Sequence, residues 1–127
     1  MMFKVMWLMK RKAGTSMQDL IDYYESTHSV LGAKLFKENN FRPVKYMRKY
    51  LHPMGDPMSE GENSRETEPE YDVAMEMWFH SREDFDRLVE FASSEAVADM
   101  IIADERRFLD RERRAVFILE EHETHFG

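Results

Sequence analysis

The chain has 127 residues, no cysteine, 34% charged residues and a net charge of -7. This length predicts one domain spanning 1–127 with a single modest core, and the acidity excludes a nucleic-acid groove or an anionic-membrane face, since Lys10-Arg11-Lys12 and Arg111 to Arg114 are short and flanked by acids. Without cysteine there are no disulfides, thiolate nucleophiles or cysteine-based zinc sites, and with no signal-peptide layout and no apolar run near the roughly 20 residues of a membrane span, a soluble cytoplasmic protein is expected.

Residues 3 to 10 alternate as a first strand, with Phe3, Val5, Trp7 and Met9 on one face and Met6 and Leu8 on the other. Ser16, followed by Asp19, starts a helix on which Met17, Leu20, Ile21, Tyr24, His28, Leu31 and Leu35 share one stripe. That helix runs to about His28, and Ser29 to Phe36 continues as an offset helical segment. His28 therefore points inward. Val44 to Leu51 is a second strand, with Tyr46, Arg48 and Tyr50 on one face, and its many charges mark it as an edge. The segment at about 53–70, rich in proline, glycine and acids, reads as a mobile loop that could shield a pocket mouth, and 121–127 as a tail.

A third strand, Tyr71 to Phe79, places Val73, Met75, Met77 and Phe79 opposite Ala74, Glu76 and Trp78. Ser81 caps a helix with Phe85, Leu88 and Val89 inward, a further helix covers about Ser94 to Arg107, and Arg114 to Glu120 forms the last strand. The order is β-α-β-β-α-β, an α+β fold with a four-stranded antiparallel sheet and helices on one face. Three of the four strands are apolar on both sides, so the helix-free face predicts a back-to-back homodimer.

Four stretches resemble the EthD-like family of the dimeric α+β barrel superfamily, whose domains are ferredoxin-like: Lys10-Arg11-Lys12, Asp22 through His28, Glu76-Met77-Trp78-Phe79, and Asp104-Glu105 through Phe108-Leu109-Asp110. The resemblance spans nearly the whole chain except the acidic segment and the tail. It implies a dimer, a small-molecule cleft between sheet and helices, and cofactor-free chemistry such as dehydration of polyketide-like aromatics, lactone isomerisation or oxygen-dependent quinone formation. Relatives that isomerise methyl-substituted muconolactones look similar at His28 and Tyr46. Met77 stands at their site cysteine and has no exchangeable proton, a departure from their particular reaction that leaves a histidine-based site intact.

The expected site combines His28, Tyr46 and Tyr50 as catalytic groups, the first moving a proton and a phenol holding the developing oxyanion. Tyr24, Phe36, His52, Met75, Met77, Glu76 and Trp78 are the expected substrate-binding residues. For each there is an ordinary structural alternative: a hydrogen-bonded core imidazole for His28, an ion pair with Arg48 for Glu76, a solvated edge for His52, core gap-filling for the methionines. If Met75 and Met77 face the helices, Glu76 and Trp78 face the dimer interface instead. No glycine-rich phosphate loop or serine-nucleophile elbow occurs, and the His122 and His125 pair lacks a third ligand, so neither cofactor nor metal is expected. The expected function is a cofactor-independent dehydratase or isomerase for an aromatic or polyketide-like metabolite, with a cofactor-free monooxygenase or a non-catalytic ligand-binding dimer as alternatives.

Overall fold

Period-two alternation carries through to strands β1 (Phe3–Arg11), β2 (Lys45–Tyr50), β3 (Val73–Phe79) and β4 (Leu109–Ile118) of the computed structural model, which describes residues 2–61 and 68–127. They form one antiparallel sheet in the order β2-β3-β1-β4. Helices α1 (Met17–Tyr23), α2 (Ser29–Glu38), α3 (Arg82–Ala92) and α4 (Glu95–Glu105) complete a ferredoxin-like βαββαβ arrangement of the α+β class. Both cores lie between the helices and one face of the sheet: Met9, Val73, Leu20, Tyr24 and Phe108 form one, and Met77, Phe79 and Leu88 the other.

The serine caps form as their spacing predicts, Ser16 Oγ accepting the Asp19 N–H at 3.1 Å and Ser81 Oγ that of Asp84 at 3.2 Å. The offset expected near Ser29 is a π-helical turn over Tyr24–His28, in which the Ser29 N–H reaches back five residues to the Tyr24 carbonyl. The Ser29 hydroxyl, buried with it, donates to the Glu25 carbonyl at 3.0 Å. One extra residue in this turn widens the inward arc, so that His28, Leu31, Gly32, Leu35 and Phe36 all face the sheet.

The last strand departs from expectation. It begins at Leu109 instead of Arg114, because Lys10 and Arg11 pair with Asp110 and Leu109, and the charged run between is a bulge in a continuous strand. Strand β2 is an edge, as its charges predict, and backbone bonds from Val44 and Leu51 to β3 and its lead-in extend its pairing to the expected ends. Residues 62–67, the middle of the segment expected to be a mobile loop, lie outside the described residues. Beyond them Asp72, 1% exposed, accepts the Arg11 N–H at 2.9 Å and the Lys10 ammonium at 3.2 Å, and Lys10 also holds Glu68 at 2.7 Å. Among the described residues no helix is long and apolar enough to cross a membrane.

Removing one member of a buried ion pair strands the other. Asp72→Ala, which leaves buried Lys10 with the exposed Glu68 as its one carboxylate partner beside the Pro69 carbonyl, is expected to lower the unfolding free energy by about 3 kcal/mol in urea denaturation; a change under about 1 kcal/mol would show that Asp72 is not what anchors this strand junction.

Candidate active site

The π turn delivers His28 to a cleft between α2, α3, α4 and the sheet, a cavity of about 180 Å³. His28 Nδ1 lies 2.8 Å from Asp104 Oδ2, at the end of α4, and the other oxygen of Asp104 accepts the Tyr23 hydroxyl at 2.6 Å. A carboxylate accepts only, so Nδ1 carries the proton and Nε2 is the ring's free position, without a hydrogen-bond partner among the described residues. The rings of Tyr24 and Phe108 pack against the imidazole at centroid distances of 5.3 and 5.1 Å, fixing its plane.

Tyr46, on β2, enters the same cavity, its hydroxyl lying beneath Gly32 of α2. Burial, reinforced by the neighbouring Tyr46 phenol, holds the Tyr24 hydroxyl well above its usual pKa. Burial also raises Tyr46, partly offset by its hydrogen bond with Tyr24. Both phenols are therefore neutral donors at physiological pH. Trp7, Phe36, Met75 and Met77 supply apolar walls, and Glu105 and Arg114 a polar end.

The structure brings six of the expected residues, His28, Tyr46, Tyr24, Phe36, Met75 and Met77, together in one cavity. It sends the others elsewhere. Tyr50 does not line the cavity; its hydroxyl donates to Glu25, which also takes two bonds from Arg48 at 3.0 and 2.7 Å. Burial and that bond raise the Tyr50 pKa, while Arg48 lowers that of Glu25. His52 is exposed past the end of β2. Glu76 and Trp78 face the helix-free side, because the register that turns Met75 and Met77 to the helices turns their neighbours away.

Glu76 pairs with Lys49 at 2.9 Å instead of with Arg48, and accepts Trp78 Nε1–H at 2.5 Å. Burial alone would raise its carboxyl, but these two partners outweigh it and the net shift is downward. Lys4 and Lys45 flank the Trp78 ring at 3.6 and 4.3 Å. The groups that sequence reasoning did not assign are Tyr23, Asp104, Glu105 and Arg114. Tyr23, Asp104 and Glu105 lie in stretches that carry the family resemblance, which assigned them no role, and the only local signal for the pairing is an acid pair, Asp104-Glu105, ending an apolar helix ahead of a basic run.

A sequence model of the EthD domain family matches residues 12–112. No curated protein matches the chain in sequence. An EthD family protein from Bacillus halodurans C-125 is similar in structure at 19% identity, with a TM-score of 0.57 over 96% of this chain and 100% of the other. A dimeric protein of ferredoxin-like fold from Bacteroides fragilis gives 14% and 0.54 over 94% and 96%. A protein from Arabidopsis thaliana gives 14% and 0.55 over 98% and 99%. At these identities the likeness is one of fold.

Tyr23, Tyr24, Tyr46 and Tyr50 all have raised pKa values. A phenol raised above its unfolded value of about 10 stabilises the fold fully below that pH, and the contribution is lost as pH climbs through the folded value. At about pH 10 the native protein should therefore show phenolate absorbance from fewer than half of its 5 tyrosines, with urea releasing the remainder. Native ionisation of most phenols at that pH would contradict their burial and bonding.

Proposed function

The chain belongs to the EthD domain family, and we propose that it is a cofactor-independent acid–base enzyme, a dehydratase or isomerase acting on a small, flat, largely apolar metabolite of aromatic or polyketide-like type. The observation that carries this reading is the 2.8 Å contact between His28 Nδ1 and Asp104, which leaves Nε2 as a lone-pair acceptor at the cleft. In this reading Nε2 takes a proton from carbon next to a carbonyl. The electron pair moves onto the carbonyl oxygen, where the Tyr46 hydroxyl donates to it. The imidazolium, stabilised by Asp104, returns the proton either to a departing hydroxyl, releasing water, or to a second carbon, completing an isomerisation. An apolar cleft with a few convergent polar groups suits such a substrate, and an accessible cavity beside His28 speaks against a merely structural histidine.

The same reading makes the protein a homodimer through the helix-free face. Met6, Leu8, Met47 and Phe117 share that face, and Phe117 is 50% exposed. Covering it with a second copy about a two-fold axis would bury these side chains and leave both clefts open on the outside. The neighbour from Bacteroides fragilis is itself dimeric.

Mass spectrometry of copurifying small molecules would name a trial substrate. With it, His28→Phe and Asp104→Asn are each expected to lower kcat by about 10²–10⁴-fold at equal folded fraction. Turnover within a few-fold of wild type in both variants would reject proton transfer by His28, and stoichiometric oxygen uptake would favour a monooxygenase. For the assembly, Leu8→Glu should convert a dimer to a monomer in sedimentation velocity, whereas a monomeric wild type would refute the shared face.

A further inference from the structure

The basic run that opens β4 is bent around one buried carboxylate. Along β1 and β4, Met9 pairs with Arg114 but Lys10 with Asp110, so one step on β1 spans four on β4 and residues 111–113 form a bulge. In an undisturbed strand Arg111 and Arg114, three apart, would point to opposite faces. Here both reach Glu105, which is 5% exposed: Arg111 through a short contact, and Arg114 through Nη1 alone, 3.2 Å from each oxygen.

One carboxylate thus serves two guanidiniums, and they differ in what they have left. Arg111 does not line the cleft; Arg114 does, and its Nε and Nη2 donors have no partner among the described residues. The other polar side-chain groups of the lining are the donors Tyr24 and Tyr46, the Trp7 indole N–H, the imidazole, and Glu105, already engaged. Arg114 is the lining's one cationic side chain, and it presents two spare donors in the planar fork that matches a carboxylate.

We infer that Arg114 is a substrate-anchoring residue and that the cleft takes a planar apolar molecule bearing a carboxylate, the acid seated on Arg114. This deepens the acid–base reading by naming the substrate class, and rests on that reading only for the identity of the cleft. Glu105 fixes the guanidinium while Arg111 balances the charge of Glu105, so Arg114 is left with a net positive field for the ligand. Asp104 and Glu105, adjacent at the end of α4, then set the two ends of the site: one orients the imidazole, the other the anchor.

The test is calorimetric titration of the intact protein with 1-naphthoate and with its neutral counterpart 1-naphthamide, using Arg114→Gln and Arg111→Gln. Arg111 still pairs Glu105 in the first variant, and thermal unfolding checks that both fold. Naphthoate should bind Arg114→Gln at least about tenfold more weakly than wild type, with naphthamide unchanged; Arg111→Gln, which removes only the charge balance on Glu105, should weaken naphthoate by less than Arg114→Gln does and leave naphthamide unchanged. Equal naphthoate affinity in wild type and Arg114→Gln, parallel loss of both probes, an equal loss in Arg111→Gln, or no naphthoate binding to wild type would each overturn the inference. All are binding outcomes, so they stand apart from the turnover of the His28 and Asp104 variants.

Discussion

The site depends on the Asp104 carboxylate, which bridges Tyr23 on α1 and His28 on the π turn at 2.6 and 2.8 Å. Each bond ties the first helical layer to the end of α4, some eighty residues on in the chain. The bridge does two jobs. It clamps the π turn at the one point where the helix is over-wide, and it engages Nδ1 of the imidazole so that Nε2 is the nitrogen left unbonded. Phe108, 1% exposed, supports both by packing against Tyr23, Tyr24 and His28. A histidine held on one nitrogen and packed edge-on by Tyr24 and at a tilt by Phe108 has lost its rotamer freedom before any ligand arrives, which is the preorganisation that proton transfer would need.

Strand alternation separates two chemistries across a sheet one residue thick. On the helix side, methionines and aromatics wall a cleft whose polar groups are mostly donors. On the other, Glu76 is satisfied by Lys49 and Trp78, and Trp78 by two lysines. That half of the outer face is therefore polar apart from Met47 beside Glu76, while Met6, Leu8 and Phe117 toward β4 form an apolar half. A mixed face of this kind favours one register of association over a slide along a greasy surface, because misplacing Lys4 or Lys49 against apolar side chains carries a desolvation cost.

Local rules read most of the fold correctly. Ser16 and Ser81 cap where their acids three residues on said they would, and the stripe from Met17 to Leu35 faces the sheet even through the π turn. Alternation also placed Glu76 and Trp78 opposite Met75 and Met77. What failed needed long-range information. The start of β4 was hidden because Asp110 to Arg114 looks like a solvated charge run until Lys10 and Arg11 pair with it. Tyr50 shares the face of Tyr46, but the Glu25 carboxylate, brought alongside β2 by tertiary packing, takes its hydroxyl. His28 was visible as an inward histidine, yet its partner Asp104 was not, since nothing in the spacing of an acid on α4 says which helix it will meet.

The balance of donors and acceptors in the cleft constrains its chemistry beyond the identity of any one residue. Burial keeps Tyr24 and Tyr46 neutral, and Glu105 is held by two arginines, so neither phenolate nor free carboxylate faces a ligand. With Nδ1 engaged by Asp104, the nitrogen that the imidazole leaves for a ligand is Nε2, the strongest base available to the cleft when the ring is neutral. A cleft with a single base and several fixed donors in apolar walls favours a bound molecule that gives up one proton and accumulates negative charge on oxygen. Enolisation has that charge flow, and the donors need not reorganise as it proceeds. The burial that raises the pKa values of these phenols thus also suits them to the proposed chemistry, because a donor that cannot ionise keeps its proton for an oxyanion.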